Sequence, residues 1–155
     1  MTAEGGYYGI GTIFSMDTTN NSYQFIYSFN GIDGDYPEGN FVQASNGLLY
    51  GTTSSGGIYN HGVLFSFDPS TNIYTKLVDG DATTSGLFRG SLMQATNGLL
   101  NGTILVNNYN QSAIFSFNPA SNVFAIVTII NQYNWITPNG SLLQGDDTKL
   151  YGTFR

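Results

Sequence analysis

Tyr8, Tyr59 and Tyr109 recur at spacings of 51 and 50 residues, in Gly5-Gly6-Tyr7-Tyr8, Gly56-Gly57-Ile58-Tyr59 and Asn107-Asn108-Tyr109. Trp135, Tyr36, Tyr133 and Phe88 add aromatic rings in other loop-like stretches. An aromatic ring presents an apolar face with a polar tip. Such faces, with Asn and Asp nearby, suit a sugar, whose C–H surface stacks while its hydroxyls take hydrogen bonds. The bland alternative is that the repeated tyrosine only wedges its loop against a neighbour. Gln43, Gln94 and Gln144 keep the same two spacings, as do Thr52, Thr103 and Thr153. These six either line a polar channel or satisfy buried backbone groups.

Two further constellations bear on chemistry. Asp33, Asp35 and Glu38 place three carboxylates within six positions, and alternating hard oxygens are what calcium takes. The spacing is not that of an EF-hand and does not recur, so a solvated acidic loop is the preferred reading and no metal site is expected. Catalysis finds little support. There is one histidine, His61, and no cysteine. The nucleophile elbow, the zinc-protease helix motif and the phosphate- and dinucleotide-binding loops are all missing. The chain is read as non-enzymatic and without a cofactor.

Charge narrows the partners. Ten acids against four bases give a net charge of −6, and charged residues make up only 9% of 155. A nucleic-acid binder needs a basic footprint, and an anionic membrane surface needs clustered lysine or arginine. Neither partner is expected. No apolar run reaches the roughly 18 residues of a spanning helix. Met1-Thr2-Ala3-Glu4-Gly5 does not read as a signal peptide, so an extracellular home implies a leader already removed.

The elements that position these residues are repeats. Phe14, Phe65 and Phe115, and Gly51, Gly102 and Gly152, follow the same period, which falls in the range of propeller blades, about 40–50 residues. Each repeat reads as four strands, a to d. Strand a is 40–44, 91–95 and 141–144. Strand b is 48–53, 99–105 and 149–154. Strand c is the Ile/Leu-Phe-Ser-Phe/Met run. Strand d is 23–29, 73–78 and 123–129. The a–b turns carry Asn46-Gly47 and Asn97-Gly98, where both residues tolerate positive φ. Strand c is apolar or small on both faces, as expected when a sheet is covered on both sides. The fold class predicted is all-β, a propeller of about three four-stranded blades per chain.

The text Leu99-Leu100-Asn101-Gly102 followed by Phe115-Ser116-Phe117-Asn118-Pro119 resembles a kelch repeat in outline, without its double glycine. A nearer resemblance is to the GloVer-type bacterial tandem repeats. It rests on Asp33-Gly34, Pro37, Val42-Gln43, Asn46-Gly47-Leu48-Leu49-Tyr50-Gly51-Thr52-Thr53, Gly56-Gly57 and Gly62-Val63-Leu64-Phe65. The third repeat departs most, with Asn107-Asn108 for Gly-Gly and Asp147 in the turn. The resemblance implies an extracellular or cell-surface bacterial location and brings no catalytic residues.

The repeats divide as about 11–61, 62–111 and 112–155, with residues 1–10 completing a split blade. The text Leu150-Tyr151-Gly152-Thr153, placed before Gly5-Gly6-Tyr7-Tyr8 and Gly11-Thr12-Ile13-Phe14, reproduces the internal junction from Leu49 to Phe65. Three blades are too few for a ring, since propellers use about four to eight. The expectation is a homodimer closing as six blades, the alternatives being a fragment of a longer ring, a higher-order ring or, if the contact fails to close, a head-to-tail filament. The function expected is a binding module for carbohydrate or another surface ligand, through long loops on one face. The alternative is a structural or engineered self-assembling half-propeller with no ligand.

Overall fold

A computed structural model describes residues 1–37, 39–81, 86–106, 111–130 and 140–153. Among them the regular structure is all β, in four antiparallel sheets. The first sheet pairs β1 (Thr12–Asp17) with β2 (Ser22–Ser28). The second runs β3 (Val42–Gln43), β4 (Leu49–Thr52), β5 (Val63–Asp68) and β6 (Ile73–Asp79), in chain order. The third repeats that order with β7 (Leu87–Gln94), β8 (Leu100–Val106), β9 (Gln111–Asn118) and β10 (Val123–Ile130). The fourth pairs β11 (Leu143–Gln144) with β12 (Leu150–Tyr151).

Each full sheet is a meander closed by local turn chemistry. Asn46 Oδ1 accepts the Leu48 N–H at 3.1 Å, and Asn97 does the same for Leu99. At the c–d turns Asp17, Asp68 and Asn118 accept the N–H two residues on, at 2.8, 2.8 and 2.9 Å. These Asx turns mimic a backbone turn, so an amide replaces the carboxylate there without loss. The c–d pairs also share one irregularity. Ile26, Leu77 and Val127 are each skipped in the register, a bulge repeated with the sequence period.

The sheets stack face to face, and side chains on both faces of the inner strands are buried. Along β5, Val63, Leu64, Phe65, Ser66 and Phe67 are all buried. Ile13, Phe29, Val63, Phe65 and Phe67 fill the space between the first and second sheets, with Ile26 packed against them. Leu64, Tyr50, Phe88, Leu92, Phe115 and Phe117 join the second to the third, with Leu77 alongside. Close approach of rings to backbone fixes the register. A Cβ on Gly51 would lie 2.7 Å from the Phe65 ring, and one on Gly102 would lie 2.7 Å from Phe115.

The strands correct the sequence reading in places. β7 runs Leu87–Gln94 and so starts four residues before the 91–95 expected for strand a. Gly90 takes φ 71° at a register break between Arg89 and Met93, so the strand continues across a bulge. Phe88 is accordingly a core residue, edge-on to Phe115 at 5.5 Å, and not a loop aromatic facing solvent. β3, β11 and β12 are two residues each, shorter than predicted.

Candidate functional site

The loops after β2 and between β4 and β5 knit into one layer. Asp35 and Ser55 exchange backbone hydrogen bonds at 2.8 and 3.1 Å, and the Gly57 N–H donates to the Gly31 carbonyl at 2.8 Å. Tyr36 N–H donates to the Ile10 carbonyl at 3.2 Å, tying in the loop before β1. Gly62, at φ 83°, leaves its Cα so near Thr53 that a Cβ would meet the Thr53 carbonyl oxygen at 2.0 Å. Only glycine fits there.

Out of this layer stand Tyr8 and Tyr59, 58% and 59% exposed. Their neighbours Tyr7 and Ile58 are exposed as well, and the Tyr7 and Tyr8 rings meet edge-on at 4.9 Å. The end of strand d positions each pair. Tyr7 N–H donates to Ser28 Oγ at 3.1 Å, and Ile58 N–H donates to Asp79 Oδ1 at 2.8 Å. Sequence reasoning named the tyrosines but missed Tyr7, Ile58 and these two caps. The signal was present, since Ser28 and Asp79 are one period apart. Tyr36 is also exposed, with φ 52°. That left-handed backbone costs a non-glycine residue about 1–2 kcal/mol, and is held by Ser54, which donates through its N–H and its hydroxyl to the Tyr36 carbonyl. Tyr109, Tyr133 and Trp135 lie outside the described residues.

The acidic loop is not a free carboxylate cluster. Asp33 Oδ1 accepts the Asn30 N–H at 2.8 Å and Oδ2 accepts the Tyr27 hydroxyl. Tyr27 stacks on Tyr74 at 4.4 Å, and Tyr74 donates its hydroxyl to the Asp33 carbonyl. Burial, with Asp33 adding to it, pushes both phenols well above their usual range. Burial also raises the Asp35 carboxyl, whose Oδ1 has no hydrogen-bond partner. Glu38 lies outside the described residues, and among those described no acid, histidine or cysteine cluster fit for a metal occurs.

The three glutamines do a shared job. Each donates from Nε2 to the carbonyl closing its own a–b turn: Gln43 to Gly47 at 3.3 Å, Gln94 to Gly98 at 2.9 Å, Gln144 to Thr148 at 3.1 Å. Gln94 Oε1 then accepts the Ser45 N–H of the preceding sheet at 2.9 Å, and Gln144 Oε1 accepts that of Thr96 at 2.8 Å. Thr52 and Thr103 donate to the Gly90 and Arg89 carbonyls. Thr153 lies two residues past the end of β12.

The edges of the stack differ sharply from its middle. Phe14 is 38% exposed, whereas its counterparts Phe65 and Phe115 are 0% and 1% exposed. Met16, Tyr23 and Phe25 are exposed beside it, and with Thr2 they line one wholly apolar depression. At the other end Val127, Leu143 and Tyr151 are exposed.

The model of the Gloeobacter/Verrucomicrobia repeat matches residues 1–155. The chain belongs to this repeat family. In this Gloeobacter/Verrucomicrobia repeat protein Phe14, Phe65 and Phe115 hold the same strand position, on β1, β5 and β9. Among solved structures, the chain is similar to TolB from Acinetobacter baumannii, with a TM-score of 0.55 and 13% identity. That match covers 93% of this chain and 35% of the TolB chain, so the chain spans about a third of TolB's length. At this identity the likeness is one of fold. No curated protein matches.

Proposed function

We propose that this repeat protein is a non-enzymatic β-propeller module that binds carbohydrate at the bacterial cell surface through its long-loop face. The observation that carries it is the pair Tyr7-Tyr8 and Ile58-Tyr59, held out to solvent in consecutive repeats by capped Gly-Gly turns. Exposed apolar side chains on loops carried by a packed sheet scaffold mark a recognition surface. Loops tied down by backbone hydrogen bonds lose less entropy on binding. Repetition gives several weak sites on one body, and linked sites gain avidity.

The same reading includes closure. Two chains supply six blades, within the four to eight of known propellers, and each of two mixed blades takes strands a and b from one chain and c and d from the other. The open half-sheets β1–β2 and β11–β12 support this.

The test is a glycan array probed with the labelled protein, alongside Tyr8→Ser/Tyr59→Ser. Sugar-specific signal that the double variant loses supports the reading. An array without any hit contradicts it. The second reading, a self-assembling part with no ligand, is favoured by the apolar surface at Phe14, Met16, Tyr23 and Phe25, and an empty array with an intact dimer would select it.

A further inference from the structure

From the register of the complete sheets we infer that β12 of a second copy adds beside β1, setting Gly152 of that copy over the Phe14 ring and its Asp146 N–H on Gln43 Oε1. The inference rests on the six-blade closure proposed above and names its contacts.

In both complete sheets a glycine of strand b pairs with a phenylalanine of strand c, Gly51 with Phe65 and Gly102 with Phe115. The third glycine and the third phenylalanine lie on separate sheets. Gly152 already has the other half of its setting, since a Cβ there would meet Leu142 at 2.7 Å, as one on Gly102 would meet Leu92 at 3.0 Å. What it lacks is the ring, and Phe14 lacks the glycine. The loop leading into β1 is also poised for such a strand. Thr2 and Thr12 exchange backbone hydrogen bonds at 3.1 Å, as Thr53 N–H donates to the Val63 carbonyl at 3.0 Å. An unpaired strand edge of this kind templates another strand.

The glutamine relay gives a second, independent register. Gln94 and Gln144 each accept the N–H of the residue two past the preceding glutamine, Ser45 and Thr96. Continued by one repeat, Asp146 of one chain donates to Gln43 of the other. Packing gives a third. Ile26 and Leu77 are covered by the phenylalanines of the next sheet. Their counterpart Val127 is 58% exposed, and in the ring Phe14 and Met16 of the second copy cover it.

The register places Tyr151 of one copy opposite Ser15 of the other, as Tyr50 lies opposite Ser66. With no native cysteine, Ser15→Cys/Tyr151→Cys reports this directly. Treated with oxidised glutathione, the double variant is expected to run as a covalent dimer on a non-reducing denaturing gel. Gln24→Cys/Tyr151→Cys, with Gln24 opposite Ser15 on the far strand and so two strand spacings or about 9.5 Å from Tyr151, is beyond the roughly 7 Å reach of a disulfide and stays single. Val127→Lys is expected to halve the solution mass while keeping the β-sheet circular dichroism. Ile73→Lys, 57% exposed in a complete sheet, should leave the mass unchanged. A wild-type monomer defeats the ring and this inference with it. A wild-type dimer that the Ser15/Tyr151 cysteines fail to link, or that Val127→Lys leaves whole, keeps the ring and overturns this register.

Discussion

Gln94 Oε1 accepts the backbone N–H of Ser45 at 2.9 Å, joining residues 49 apart in sequence and in adjacent sheets. The same amide donates from Nε2 to Gly98, closing its own turn at 2.9 Å. One side chain therefore sets both the local hairpin and the spacing of neighbouring sheets. Gln94→Ala is expected to cost about 1 kcal/mol, the net worth of such a hydrogen bond. Urea melts of the variant should show a lower midpoint with unchanged slope. No change at all would mean that packing alone sets the spacing.

Phe65 is fully buried; its ring meets Phe29 across the sheet interface, and Phe41 and Tyr74 on its own sheet's side. Phe65→Ala is expected to cost about 3–5 kcal/mol. Phe14→Ala, at the same position of the open sheet, should cost far less at protein concentrations that keep the chain monomeric. A chemical denaturation series on both variants at low concentration checks the contrast. Equal losses would contradict it.

Gly51 tests close approach. Its Cβ would sit 2.7 Å from the Phe65 ring, so Gly51→Ala must shift the ring or the strand, at about 1–3 kcal/mol. Gly47, at a turn with open space around it, is the comparison: Gly47→Ala suffers from its φ of 84° and not from contact. Thermal unfolding of the two, with near-ultraviolet circular dichroism to read the aromatic packing, separates these causes. Only the Gly51 variant should disturb the aromatic signal.

The Asx turns give a pH dependence. The Ser70 hydroxyl and N–H hold the Asp68 carboxyl below the usual range, and Thr19 does the same for Asp17. A depressed folded-state pKa contributes stability that is present above the unfolded value, about 3.9, and is lost as pH falls through the folded one. Stability should therefore decline below about pH 4. Asp35 has the opposite sign: burial raises its pKa, so its neutral form favours the fold and offsets part of the loss. In urea melts at pH 3 and pH 5, Asp68→Asn should lose less stability on acidification than wild type, because Asn118 already fills this role in the third repeat. A steeper loss in the variant would contradict the assignment.

Tyr8→Ser and Tyr59→Ser should leave folding intact, since both rings are exposed. They should lower binding of a hit glycan about tenfold or more for the pair, as avidity is lost along with contact. Unchanged melting with reduced binding is the expected split in titration. Reduced melting without reduced binding would show the rings to be wedges.

Much of this architecture was legible because three copies could be laid over one another. Phe14, Phe65 and Phe115 share a strand position, and Gln94 and Gln144 share a hydrogen-bond pattern, so each repeat checks the next. What escaped was what does not repeat or does not show in composition. β7 begins at Leu87 because Gly90 absorbs a bulge through positive φ, which a loop-like Ser-Gly text disguised. Among the described residues the Tyr27–Asp33–Tyr74 network, with Asp33 and Tyr74 41 apart in sequence, has no counterpart in another repeat, so no period announced it. Tyr8, Tyr59 and Tyr36 were legible as loop aromatics, but the Ser28 and Asp79 caps behind them appear only when strand ends and loops are brought together.

The most direct test of the account is the solution mass of residues 1–155, by light scattering coupled to size exclusion across a range of concentrations. The open edge at Phe14 and the strand ending at Gly152 are expected to find each other between copies, giving one sharp species at twice the chain mass of 16.8 kDa. A single-chain mass at every concentration, or a mass of three or more chains, would contradict closure by two copies.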